Sequence, residues 1–231
     1  MAAGNFVLYP IFKKNLESGV HNMAGDTIAC TLVGSGYTPN VTESSWANIE
    51  SYEASGTGYT AGGQALTGQA ITYYAGGGNV SANLPTIVNG GAGYPVSSTF
   101  DVTVAGGTDS TAATVSVTTN ASGVVTSVNG VPTQGSYTAL PANPAATTAG
   151  NGGTGLTLNI KWGTSFNAAA VSWANATVEA QYAVLVKGAA PLAGTDPIIG
   201  YVNLNQGGGP LSSTNGTFQV SWNPNGVFNL D

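Results

Sequence analysis

Apolar and polar residues alternate with a period of two in the middle of the chain, between residues 84 and 163. Successive apolar positions of this kind lie on one face of a strand, which is typical of half-buried antiparallel sheets. The clearest runs are Phe100, Val102 and Val104, then Ala113, Val115 and Val117, then Leu156, Leu158, Ile160 and Trp162. Turn clusters rich in Asn and Gly separate the runs. The pattern therefore predicts a small all-β module over 84–163.

Further strands are predicted on both sides of this module. They lie at 27–33, 70–74, 178–187, 198–204, 217–222 and 226–230. The simplest architecture is an antiparallel β-sandwich or barrel formed by residues 1–83 together with 164–231. The module at 84–163 would then be an insertion, which is inexpensive because the entropy of loop closure grows slowly with loop length.

One short helix is predicted near the N-terminus. Pro10 suits the first position of a helix, Phe12 and Leu16 share one face, and Gly19 can end the last turn. A single helical turn is also predicted near 45–49. Apart from these two segments, we expect little helix in an all-β protein.

Charged residues are scarce, with four basic and ten acidic residues against 34 glycines in 231 positions. The formal net charge of −6 argues against a nucleic-acid partner, which requires a basic surface, and against an anionic membrane surface. The sequence shows no signal peptide and no apolar run of the ~20 residues that span a bilayer. Cys30 is the single cysteine and alternates with apolar residues, which predicts a buried thiol.

The sequence contains few candidate catalytic or ligand-binding groups. His21, with Asp26 nearby, lacks any nucleophile elbow, and no metal-binding motif is present. Glu43, Glu50 and Glu53 could supply a pair of acids for a glycosidase, but a polar loop makes solvated carboxylates the simpler interpretation. The glycine run at 55–63 lacks the lysine of a phosphate-binding loop and is interpreted as turns. The sequence predicts no catalytic residue, metal or cofactor.

Some of the aromatic residues are candidates for a surface that contacts a ligand. Trp162 and Trp222 continue apolar faces of strands, so core packing is predicted for both. Tyr94 and Tyr137 follow glycine turns in the module. These two tyrosines are therefore predicted to be exposed contact residues.

Several stretches outside the module resemble a group of small structural proteins encoded by tailed bacteriophages. They are Asp26-Thr27-Ile28, SYEASGTGYTAGGQALTGQAITY (51–73), WANATVEAQYAVLVKG (173–188), DPIIGY (196–201) and NGTFQVSWNPNGVFNLD (215–231). The inserted module looks like the Gly/Thr-rich β modules of phage fibres and capsid ornaments. Its role does not follow from the resemblance, because the usual members of the group lack it.

The resemblance implies a virion protein that folds in the bacterial cytoplasm and works on the capsid surface. The first expectation is a capsid decoration or cement protein that binds the major capsid protein and forms a homo-oligomer, either a dimer or a trimer. The alternative is a tail or head fibre component that recognises host surface glycans. A third, enzymatic interpretation is a polysaccharide depolymerase, which would need a pair of acids brought together by the fold.

Overall fold

The computed structural model describes residues 5–75, 84–148, 151–223 and 226–230. Strands make up 50% and helices 7% of the structure, which confirms the predicted all-β fold with a short N-terminal helix. Within the described residues, paired strands run antiparallel. In chain order the elements are β1 (Phe6–Leu8), α1 (Pro10–Glu17), β2 (Ile28–Val33), β3 (Gln64–Ala65), β4 (Ala70–Ala75), β5 (Thr86–Ala92), β6 (Thr99–Thr103), β7 (Thr108–Thr111), β8 (Thr114–Thr119), β9 (Val125–Thr133), β10 (Ser136–Ala139), β11 (Ala145–Ala146), β12 (Thr154–Asn159), β13 (Trp162–Asn167), β14 (Val171–Ala180), β15 (Tyr182–Lys187), β16 (Ile198–Asn203), β17 (Leu211–Val220) and β18 (Phe228–Leu230).

Helix α1 follows the sequence prediction closely. It begins at Pro10 and buries Phe12 completely. Just beyond its end, Gly19 has a φ of +73°, a conformation that glycine adopts without steric cost. Near the predicted helical turn, two short 3-10 turns span Trp46–Asn48 and Glu50–Tyr52.

The chain divides into two compact units whose boundaries differ from the predicted ones. The first comprises Met1–Ala70 and Phe166–Phe228, and the second comprises Ile71–Ser165 and Asn229–Asp231. The second unit therefore begins before residue 84, because β4 pairs with β10 through Tyr73 and Tyr137. Part of the predicted module boundary, 76–83, lies outside the described residues.

The first unit is organised around a five-stranded sheet of order β1-β16-β15-β2-β3. All six residues of β2 are buried, and so are the four central residues of β15. These two strands pair along their whole length, from Ile28 opposite Lys187 to Val33 opposite Tyr182. A separate two-stranded ribbon is formed by β14 and β17, each ten residues long.

The alternating run predicted as one strand at 178–187 is divided between β14 and β15. The break falls at Gln181, whose side chain is buried. Each half pairs with different partners, β14 with β17 and β15 with β2 and β16. Periodicity alone does not reveal such a break, because alternation continues unchanged through it.

The second unit contains sheets of order β11-β12-β5 and β6-β8-β9, together with β7, β10 and most of β4, β13 and β18. The predicted turn at 120–123 is fixed by Asn120, whose Oδ1 accepts hydrogen bonds from the N–H groups of Ser122 and Val124. The alternating faces predicted from the sequence converge on one apolar core. Its buried members include Val102, Val104, Ala113, Val115, Val117, Leu156, Leu158 and Ile160.

Candidate functional site

The two tyrosines predicted to be exposed contacts are buried, so that prediction is wrong. Tyr94 is 4% exposed and Tyr137 is 0% exposed. The Tyr94 ring stacks on Phe100, with centroids 5.5 Å apart. The Tyr137 hydroxyl accepts a hydrogen bond of 2.7 Å from the backbone N–H of Ala113. Both rings therefore belong to the core of the second unit and are unavailable to a ligand.

The glycines beside these tyrosines explain the burial. A Cβ placed on Gly153 would lie 2.1 Å from the Tyr94 ring, and one on Gly135 would lie 2.7 Å from the Tyr137 ring. The bare backbone therefore acts as a flat surface against which each ring packs. A glycine near a tyrosine in a strand can indicate such close packing rather than an exposed turn.

The two tryptophans predicted to pack in the core are both half-buried. Trp162 packs against the core of the second unit, where its ring meets Tyr137 edge-on at 5.1 Å. The indole Nε1 of Trp222 donates a 3.0 Å hydrogen bond to the carbonyl of Ala169. Trp46 and Trp173 are the more deeply buried pair.

Glu43 and Glu53, two of the three candidate acids named from the sequence, bind tyrosine hydroxyls in the first unit. The hydroxyl of Tyr37 donates to Glu43 and also bonds to the hydroxyl of Tyr9. Burial raises the pKa of both tyrosines. This chain of hydrogen bonds anchors the loop that carries Glu43.

Glu53 fixes the glycine-rich loop in a similar way. Its Oε1 accepts hydrogen bonds from the Tyr59 hydroxyl at 2.7 Å and from the Gly62 N–H at 2.6 Å. The Tyr59 oxygen in turn accepts the N–H of Leu32 in β2. Glu50 is exposed. The contacts of Glu43 and Glu53 account for these carboxylates as structural groups.

His21 is 4% exposed and lies against the ring of Phe12. Its Nδ1 is 3.9 Å from Asp26, which pairs at 3.0 Å with Lys187. Neither imidazole nitrogen finds a hydrogen-bond partner among the described residues. Burial lowers the pKa of His21, against the opposing effect of Asp26. The geometry is that of a neutral packed imidazole, with no hydroxyl hydrogen-bonded to it.

His21 should make the protein sensitive to mild acid. Since its pKa is lowered in the folded state from 6.5, the unfolded chain binds the proton first as the pH falls. Stability present above pH 6.5 should therefore be lost as the pH falls toward the lower folded pKa. Urea unfolding at a series of pH values should show this loss, and His21→Leu should reduce the slope. Equal slopes in both proteins would contradict the assignment.

The described residues contain no cluster of three or more potential metal-ligating side chains. Within that same part of the chain, no helix has the length and apolar character that crossing a bilayer requires. Cys30 is fully buried, as predicted, and burial raises the pKa of its thiol. A protonated thiol without access to solvent is a poor nucleophile.

Strand β17 forms a candidate binding edge in the first unit. Its sequence, LSSTNGTFQV, contains no charged residue over ten positions. Among the described strands it pairs only with β14, so its other edge is open. A groove of about 300 Å³ runs beside it, lined by seven residues of β17 and by Leu204. Long open edges usually carry charges or proline that prevent further pairing, and β17 carries neither.

Comparison of the chain with protein-family models, with curated proteins and with solved structures finds no match. The resemblance to phage structural proteins therefore rests on the sequence stretches quoted above. The open edge of β17, one of whose residues, Asn215, begins the last of those stretches, is an independent observation from the structure.

Proposed function

We propose that the protein is a structural component of a bacteriophage virion, and specifically a decoration protein that binds the major capsid protein and stabilises the head. The observation that carries this proposal is the open, uncharged edge of β17. A strand of this kind offers unpaired backbone groups to an extended segment of another chain. The same edge could also join copies of the protein as a dimer or trimer on the virion surface.

Binding through a strand edge suits the composition of the chain. With 14 charged residues in 231, an interface built on ion pairs has few groups available. Backbone hydrogen bonds supply affinity, and side chains at alternate positions supply specificity. In β17 the side chains of Ser212, Thr214, Thr217 and Gln219 are exposed and uncharged.

The test is the copy number of the protein in purified heads. We expect wild-type protein at about one copy per capsid subunit, or per few subunits. The double variant Thr217→Lys, Gln219→Lys places two charges beside the open edge and should weaken binding about tenfold or more, equivalent to about 1.4 kcal/mol, and so lower the occupancy. Ser127→Lys, at an exposed position of β9, is the matched control and should bind normally.

Other outcomes discriminate between the alternatives. A few copies per particle, located on the tail or on a fibre, would replace the decoration role with host recognition. Absence from the virion would overturn both the decoration role and the host-recognition role, and would favour the enzymatic interpretation. Full occupancy by the double variant would leave a capsid role in place but exclude β17 as the docking edge.

A further inference from the structure

A second groove in the first unit, of about 350 Å³, has different chemistry and is called the tyrosine groove here. Its walls come from β1, β15, β16 and the loops beyond, and its principal side chains are Asn5, Tyr182, Tyr201, Asn203 and Gln206. None of its lining residues is charged. Its volume is within the range of small-ligand sites.

Two aromatic rings give the tyrosine groove an apolar face. Tyr182 and Tyr201 are half-buried, and their rings meet edge-on with centroids 5.9 Å apart. Tyr201 is also held by Tyr9, at 5.4 Å. The hydroxyls of Tyr182 and Tyr201 make none of the hydrogen bonds found among the described residues. The groove therefore combines rigid ring faces with unused polar groups, as expected of amphipathic tyrosines at binding surfaces.

Asn203 lines the same groove, and the contacts of its side-chain oxygen fix the orientation of its amide. Its Oδ1 accepts the backbone N–H of Asn205 at 2.9 Å and the Nε2 of buried Gln181 at 2.8 Å. A backbone N–H can only donate, so the oxygen of the amide must face it. The Nδ2 group is left as the free end and has no partner among the described residues. A donor fixed in advance loses little entropy when a ligand binds.

We propose that the tyrosine groove binds a neutral hexose oligosaccharide. A pyranose ring has an apolar face that packs on an aromatic side chain and hydroxyls at its edge that accept from an amide. The groove presents both features with Tyr182, Tyr201 and Asn203. An anionic ligand would find no cationic side chain in the lining. The inference does not rest on docking through β17, because the groove shares no residue with that strand.

The experiment is a calorimetric titration of the whole chain with maltohexaose, cellohexaose and mannohexaose. We expect at least one of them to bind with a Kd of about 1 mM or tighter. Tyr201→Ala should weaken that binding about tenfold or more. Asn203→Asp keeps an acceptor for Asn205 and Gln181 but loses the Nδ2 donor, so it should also weaken binding while leaving the fold intact.

Tyr73→Ala, an exposed tyrosine in the second unit, is the matched control and should bind normally. The proposal is overturned if none of the three hexasaccharides binds. It is also overturned if Tyr201→Ala and Asn203→Asp, both folded by circular dichroism, bind like the wild type. Tyr201→Ala could instead leave sugar binding unchanged and alter only the oligomeric state measured by sedimentation. That result would assign the groove to contact between copies of the protein.

Discussion

Replacing Gly63 with alanine is expected to lower the free energy of unfolding of the first unit by about 2–5 kcal/mol. Gly63 has a φ of +72°, and a Cβ at this position would lie 2.0 Å from the carbonyl oxygen of Cys30. Both the dihedral strain and the clash involve backbone, so no side chain can move aside. Urea unfolding measures the loss, and hydrogen exchange in β2 should show where it falls.

Gly19→Ala is the matched control. Gly19 has nearly the same φ, +73°, but no atom lies within 4 Å of the position a Cβ would take. Its substitution should cost only the dihedral strain, about 1–2 kcal/mol. Equal losses in the two variants would mean that the close approach at Gly63 adds nothing and that only the backbone conformation requires glycine.

The same physical reasoning applies to the glycine run at 55–63, for which the sequence predicts turns. Within the first unit, a Cβ at Gly56 would lie 2.0 Å from the carbonyl oxygen of Thr177, and one at Gly58 would lie 2.8 Å from that of Asn175. The loop lies directly on β14 and β2, fixed there by Glu53 and Tyr59. The predicted turns are present, since the N–H groups of Tyr59 and Gly63 bond to the carbonyls of Gly56 and Thr60. The same glycines also allow close packing of backbone on backbone, which composition alone does not reveal.

Strands with clear alternation, such as β6, β8 and β12, were predictable because the alternation separates a buried face from an exposed face, whereas β5, β7, β9 and β10 were not predicted. Val102, Val115 and Leu158 were placed on inward faces from sequence and are buried in one core. Strand partners were not predictable, since β15 pairs with β2 across about 150 residues of chain and no local signal specifies this choice. For the same reason the boundary of the second unit lies at Ile71 and not at residue 84.

The proposed binding groove was harder to predict than the fold. Composition indicated that some of the ten tyrosines could contact a ligand, but Tyr94 and Tyr137 are core residues. The tyrosine groove instead contains Tyr182 and Tyr201. Both lie in strands whose sequences show an ordinary alternation of apolar and polar residues. Tyrosine suits both environments, so its exposure depends on neighbours that only the fold brings together.

Tyr137 should be among the most important side chains for the stability of the second unit. Its ring is fully buried against Trp162, and its hydroxyl satisfies the buried N–H of Ala113. Tyr137→Ala is expected to lower the free energy of unfolding by about 3–5 kcal/mol, the usual loss for a large buried aromatic residue. Hydrogen exchange followed by mass spectrometry should show faster exchange in β8 and β10, with the first unit nearly unchanged.

Tyr137→Phe separates the hydroxyl from the ring. The ring contacts remain, but the Ala113 N–H is left buried without an acceptor, which should cost about 1–3 kcal/mol. Tyr73→Phe, on the strand opposite and exposed, is the control and should change stability by less than about 0.5 kcal/mol. If Tyr137→Phe were as stable as the wild type, the hydroxyl would have no structural role. If Tyr137→Ala were equally tolerated, the burial that excludes Tyr137 from the contact surface would itself be wrong.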